Sequence, residues 1–123
     1  MAEKTDREQF LDDIITTAVE GGIGYWSQVS QYHWGDEKET TVRVHELDSA
    51  GNVENKVGVP ITRNKIEEAI KKIADMNTSI EYLHPRVRGE IFIASCDNDA
   101  GDIDATLADI IVQVAMFGNV VYG

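Results

Sequence analysis

Cysteine, proline and basic residues are what this sequence is short of. A single cysteine, Cys96, excludes an internal disulfide and leads us to expect a reducing, cytoplasmic setting. No apolar run approaches the roughly 20 residues of a membrane-spanning helix. The polar start, Met1 to Glu8, runs straight into a helix pattern and predicts no signal peptide. Lys and Arg number 11 against 22 Asp and Glu, a net charge of −11, and no base follows Arg88. Such a chain is not expected to grip nucleic-acid phosphates, a contact that depends on Lys and Arg. A basic partner surface or a cation is the complementary expectation, and plain solubility the bland one. Catalytic signatures are also missing. There is no Ser/His/Asp nucleophile motif, and His33, His45 and His84 share no metal-ligand spacing with Cys96. Gly21-Gly22-Ile23-Gly24 lacks the lysine and the preceding strand of a phosphate loop.

What is present is enough apolar sequence, 42% of 123 residues, for one domain with its own core (1–123). Thr5-Asp-Arg-Glu8 forms a capping box, and Phe10, Leu11, Ile14, Ile15, Ala18 and Val19 then recur at helical spacing. This predicts a helix over 6–20, ended by Gly21-Gly22. Residues 23–34 change character, with both tryptophans and two of the four tyrosines, and read as a strand. Alternation places Trp26, Gln28, Ser30, Tyr32 and Trp34 on one face, with Tyr25, Val29 and His33 on the other. A turn at Gly35–Lys38, a second alternating segment at 40–47 and a short strand at 53–59 complete an antiparallel meander. Pro60 closes the sheet, and Thr62 caps a helix with Ile66, Ala69, Ile70 and Ile73 inward. Residues 88–96 remain open between buried strand and short helix, with Pro85 and Gly89 read as a break before Glu90–Ala94. A last helix over 103–117 is apolar nearly all round and is expected to be the most buried. The predicted fold is α+β: a small antiparallel sheet over about 23–59 packed against the N- and C-terminal helices.

Two stretches are candidate sites. Asp97, Asp99, Asp102 and Asp104 crowd into eight residues around Gly101. As ligands they would suit a hard cation, Mg²⁺ or Ca²⁺. Counted as a calcium-binding helix–loop–helix loop from Asp97, however, the sixth position is Asp102 instead of Gly and the twelfth is Ala108 instead of Glu. The simpler reading makes Asp102 or Asp104 the cap of the last helix. Asp104 and Asp109 also faintly resemble the acidic helix of all-helical, magnesium-dependent nucleotide pyrophosphohydrolases, but they stand five apart and lack a matching pair on the 63–76 helix. The second stretch, Tyr25, Trp26, Gln28, Tyr32, His33 and Trp34, mixes rings with polar groups as ligand pockets and partner faces do. Core packing is its ordinary alternative.

Glu-Gly-Gly-Ile-Gly-Tyr-Trp-Ser at 20–27, Asp-Asn-Asp-Ala-Gly-Asp-Ile-Asp at 97–104, and the closing Ala-Asp-Ile-Ile-Val-Gln, Phe-Gly and Val-Val-Tyr-Gly resemble a family of small acidic proteins encoded by actinobacterial phages and mobile elements. The resemblance covers most of the chain and implies a phage accessory setting inside a host cell. It carries no assigned activity and no catalytic residue. Proteins of that setting often neutralise host factors in evading host defence, by mimicking DNA or by sequestering a nucleotide signal. The expected function is therefore a non-enzymatic binding protein that blocks a host protein or holds a small nucleotide-like ligand. The alternative is a divalent-metal-dependent nucleotide hydrolase using the 97–104 loop. Self-association is left open.

Overall fold

Residues 3–123 are described by a computed structural model, and the expected α+β architecture is what it shows. The first helix, α1 (Asp6–Thr17), starts at the capping box read from the sequence: Thr5 Oγ1 accepts from the Glu8 amide, and Glu8 reaches back to the Thr5 amide. The helix then widens into one π-type turn, Ala18–Gly22, so the glycines lie inside the helical segment. The reason is contact: a Cβ at Gly22 would come within 2.8 Å of the Ala105 carbonyl oxygen. Only glycine lets the turn approach the start of the last helix so closely.

Strands β1 (Ser27–Gly35), β2 (Lys38–Glu46) and β3 (Val59–Ile61) form one antiparallel sheet in the order β1-β2-β3. The sheet thus runs over 27–61, and two expectations shift. Tyr25 and Trp26 belong to a turn ahead of β1, where Trp26 and Ser27 amides both bond back to the Ile23 carbonyl. The strand expected at 53–59 is reduced to one bridge, Leu47 with Val53. Pro60 lies within β3, an edge strand, where a missing N–H costs no ladder bond. β1 also carries a bulge. Ser30 pairs with Arg43 and His33 with Thr41, so Gln31 and Tyr32 oppose Val42 alone, with Gln31 at φ 50°. The extra residue reverses the side-chain parity, putting half-buried Tyr32 on the core side with Val29, Val42 and Val44.

α2 (Arg63–Ala74) is capped by Thr62, whose hydroxyl accepts from the Lys65 amide. The undecided segment is a helix, α3 (Pro85–Asp97). Pro85 occupies its first turn, where a missing N–H is harmless, and His84 Nδ1 accepts from the Arg86 amide. What reads as a break is therefore a start signal. α4 (Ala105–Phe117) buries Leu107, Ala108, Asp109, Ile111, Val112, Gln113 and Val114, making it the central helix as its composition implied. Among the described residues, no helix is long and apolar enough to cross a membrane.

Bases lock these elements together. Arg63 forks onto Asp12, Nε to Oδ1 and an Nη to Oδ2, both at 2.8 Å, while Lys4 and the Thr40 amide also reach that carboxylate. Burial pushes the Asp12 acid up, but these donors outweigh it and hold it below the usual carboxylate range. Arg7 joins α1 to Glu67 of α2 and to the Ser95 carbonyl of α3. Arg88 is buried and donates to the carbonyls of Lys72, Ile73 and Asp75, closing the C-terminal end of α2.

Candidate functional site

Asp109 sits on the buried side of α4, with 7% of its surface exposed. Its Oδ1 accepts from Trp26 Nε1 at 2.8 Å and from Gln113 Nε2 at 2.9 Å, and its Oδ2 accepts from Tyr25 Oη at 2.6 Å. Gln113, one turn on, carries the C-terminal segment. Its amide nitrogen donates to the Tyr122 carbonyl, and its oxygen accepts from the Val121 and Tyr122 amides. That docking brings the Tyr122 ring flat onto Trp26, with centroids 5.1 Å apart and planes at 7°, and Phe117 edges the pair. Two polar residues spaced i, i+4 on an otherwise apolar helix were the signal for this network, and the sequence reading passed over Gln113.

Tyr25 and Tyr122 form a wall between two clefts. One, of about 500 Å³, lies over Gly21, Gly22 and the first turn of α4, with Tyr82 and Val120 opposite. The other, of about 640 Å³, has Tyr25, Trp26 and Tyr122 as its aromatic side and Asp48, Glu54 and Leu47 facing them. Among the described residues, neither cleft is lined by a Lys or Arg. The rings report that environment. Burial raises the Tyr122 phenol to about 12, helped by its hydrogen bond to Glu46 and the charges of Glu46 and Glu54. Burial likewise raises Tyr25 to about 12, and its bond to Asp109 adds to the shift. Both are neutral donors at physiological pH, held by carboxylates on the far side. The mouth of the second cleft is thus aromatic and negative, an arrangement that attracts a cation.

The candidate residues expected along the two faces of a single strand are distributed over four places. Tyr25 and Trp26 join at the α4 wall, the first 59% exposed and the second buried. Gln28 lies on the outer face of the sheet in a shallow hollow beside Ser30, His45 and Lys56. There Ser30 Oγ meets His45 Nε2 at 2.7 Å, and His45 Nδ1 reaches the Asn55 carbonyl. Tyr32 turns inward toward Thr16 and Glu20. His33 and Trp34, the latter 66% exposed, stand together at the hairpin end, away from both clefts. The simple alternation fails because β1 begins after Trp26 and the bulge at Gln31 resets its parity.

The acidic loop is ordered by its own backbone. Asp104 caps α4 by accepting from the Leu107 amide at 2.8 Å, and Asp99 accepts from the Gly101 amide in a short 3₁₀ turn. Asp102 is exposed in that turn, and Asp97, the last residue of α3, faces a hollow shared with Asp6 and Asp13 of α1. Among the described residues, no three His, Cys, Asp or Glu come together in a way that could hold a metal ion. Asp104 and Asp109, the pair compared with the pyrophosphohydrolase helix, are occupied by a cap and by the Trp26–Tyr25–Gln113 network. Compared with known proteins, the chain matches no family model, no curated protein and no solved structure.

Proposed function

We propose that this is a non-catalytic binding protein whose Tyr25–Tyr122 cleft takes a positively charged segment of a partner protein. One observation carries the reading: three rings and two carboxylates, Asp48 and Glu54, surround a cleft that no base lines. A Lys or Arg side chain entering it gains cation–π contact with the rings and Coulomb attraction from the rim. In the phage accessory setting that the resemblance implies, the partner is a host factor whose basic surface is occupied. A nucleotide phosphate would instead meet Asp48 and Glu54 without a compensating base, which disfavours sequestration of a nucleotide here. Hydrolysis has less support still, since the acids of the 97–104 loop are spread between a cap, a turn and the hollow facing α1.

Calorimetric titration with an Arg/Lys-rich peptide, an acidic peptide of equal length and ATP tests the proposal. The basic peptide should bind alone, less tightly as salt rises. Tyr25→Ala and Glu54→Gln should each weaken it by about tenfold, since a cation–π contact or a partly desolvated ion pair contributes on the order of 1 kcal/mol. Binding of ATP in preference to the peptide, or peptide binding indifferent to both substitutions, would remove the basis of the proposal.

A further inference from the structure

The outward side of α3 carries apolar surface that none of the described residues covers. Phe92 is 49% and Ile93 61% exposed, and Cys96 is exposed beside them. Gly89 is open to space, with nothing within 4 Å of where its Cβ would stand. At 100° per residue, Gly89, Phe92, Ile93 and Cys96 fall on one stripe, while Val87, Arg88, Ile91, Ala94 and Ser95 face inward. One flank of the stripe is charged: Arg86 near the N-terminal end, Glu90, and Asp97 at the C-terminal end. Arg86 is weakly engaged, 3.8 Å from Glu90 with both side chains exposed. Around Asp97 the carboxylates of Asp6 and Asp13 line a hollow of about 280 Å³.

We propose that this face is the interface of a symmetric homodimer in which two α3 helices pack antiparallel. The charges select the occupant and the direction. A two-fold axis passing between Ile91 and Phe92 sets Arg86, five residues before Ile91, level with Asp97, five residues after Phe92. In that isologous pairing the charged flank of one helix lies along the same flank of the other, reversed. Each Arg86 then meets the partner's Asp97 hollow, twice per dimer, and the two Phe92 rings lie beside the axis. Parallel packing would put the two charged flanks on opposite sides of the seam and leave each Arg86 without an opposing Asp97. Gly89 lets the helices approach closely. A helix of 13 residues is about 20 Å long and offers less contact than a permanent interface needs, so the dimer is reversible.

Sedimentation equilibrium from low micromolar to submillimolar protein provides the test. The wild-type chain should pass from monomer to dimer. Phe92→Asp should weaken association at least about tenfold while leaving the circular dichroism unchanged, because an exposed ring contributes little to the fold. Arg86→Asp alone and Asp97→Arg alone should each be monomeric, since each homodimer then opposes like charges. Mixed together, the two variants should recover a heterodimer with both pairs restored, one in wild-type polarity and the other reversed. That mixing arm decides the matter even if Phe92→Asp folds poorly. A wild-type chain that stays monomeric would assign the face to a different partner and overturn the proposal. A dimer indifferent to Phe92→Asp, or variants that fail to associate when mixed, would overturn it equally.

Discussion

Replacing Asp109 sets two large effects against each other. Its carboxylate is buried with three neutral donors and no cation in contact, so ionisation there carries a desolvation cost. Truncation to Ala relieves that cost but strands the donors unequally. The Tyr25 ring is largely exposed, so its hydroxyl, partly buried while it is held by Asp109, can rotate out to water, and Gln113 Nε2 keeps the Tyr122 carbonyl at 3.0 Å. Trp26 Nε1 is buried and has no second acceptor, so it is left unpaired at roughly 1–3 kcal/mol. Adding the charge-assisted bonds lost, Asp109→Ala should destabilise the fold by about 3 kcal/mol. Asp109→Asn behaves differently. Its oxygen can serve Trp26 and Gln113 while its amide donates to the Tyr25 hydroxyl, which reverses to accept, so the cost should be about 1 kcal/mol. Urea denaturation followed by Trp26 fluorescence measures both. Phenol absorbance should also show the Tyr25 titration moving down from about 12 in Asp109→Asn, though not fully to the ordinary value, because burial is the larger cause. Equal losses for Ala and Asn would refute the reasoning by showing that the amide does not replace the carboxylate's bonds, and an Ala variant as stable as wild type would refute it by showing that desolvation outweighs them.

Two further outcomes follow from the same geometry. Asp104→Ala should lower stability by about 1 kcal/mol in thermal melts, whereas Asp102→Ala should stay within ~0.5 kcal/mol, since only the former caps α4. Tyr25 and Tyr122 carry folded values near 12, above the ordinary value of 10.0, so their neutral forms stabilise the fold fully below pH 10. That contribution is lost as pH rises through 12. An alkaline unfolding transition should therefore start near pH 10 and be blunted in Tyr25→Phe combined with Tyr122→Phe. A double variant with an unchanged alkaline limb would point to other groups.

Local rules made much of the framework legible. The Thr5–Glu8 box, the Thr62 cap and the apolar stripes of α1 and α2 involve partners within one helical turn, and these elements stand where periodicity put them. Asp104 was one of two candidate caps, and only backbone geometry could choose between them. Two failures had conformational causes that side-chain type conceals. A left-handed Gln31 is unremarkable in sequence, yet it inserts the bulge that turns Tyr32 inward. Pro85 is ambiguous by nature, a break if something helical precedes it and a start if it opens the helix. The candidate site was half visible. Tyr25 and Trp26 were singled out for their rings, but their partners Asp109 and Tyr122 lie more than 80 residues away in sequence. Such pairing is set by how α4 docks on the π-type turn, which no window of sequence spans.

Where the bases go decides what the acidity means. Lys4 and Arg63 are committed to Asp12, Arg7 to Glu67, Arg88 and Lys72 to carbonyls at helix ends, and Arg43 to the Val57 carbonyl. With Arg86 weakly engaged by Glu90, seven of the 11 bases have internal partners, while most of the 22 acids do not touch a base. A partner approaching the surface meets a field more negative than an even spread of −11 would produce. The field alone would serve solubility and select nothing. Selection requires places where charge meets shape, and the protein offers two. At the Tyr25–Tyr122 cleft, carboxylates stand across from rings, so a cation entering it would meet contact as well as field. On α3, Arg86 is among the few bases left exposed and stands at the opposite end of its helix from Asp97. A basic residue so loosely held by Glu90 would gain a firmer partner if a second α3 lay against it in reverse.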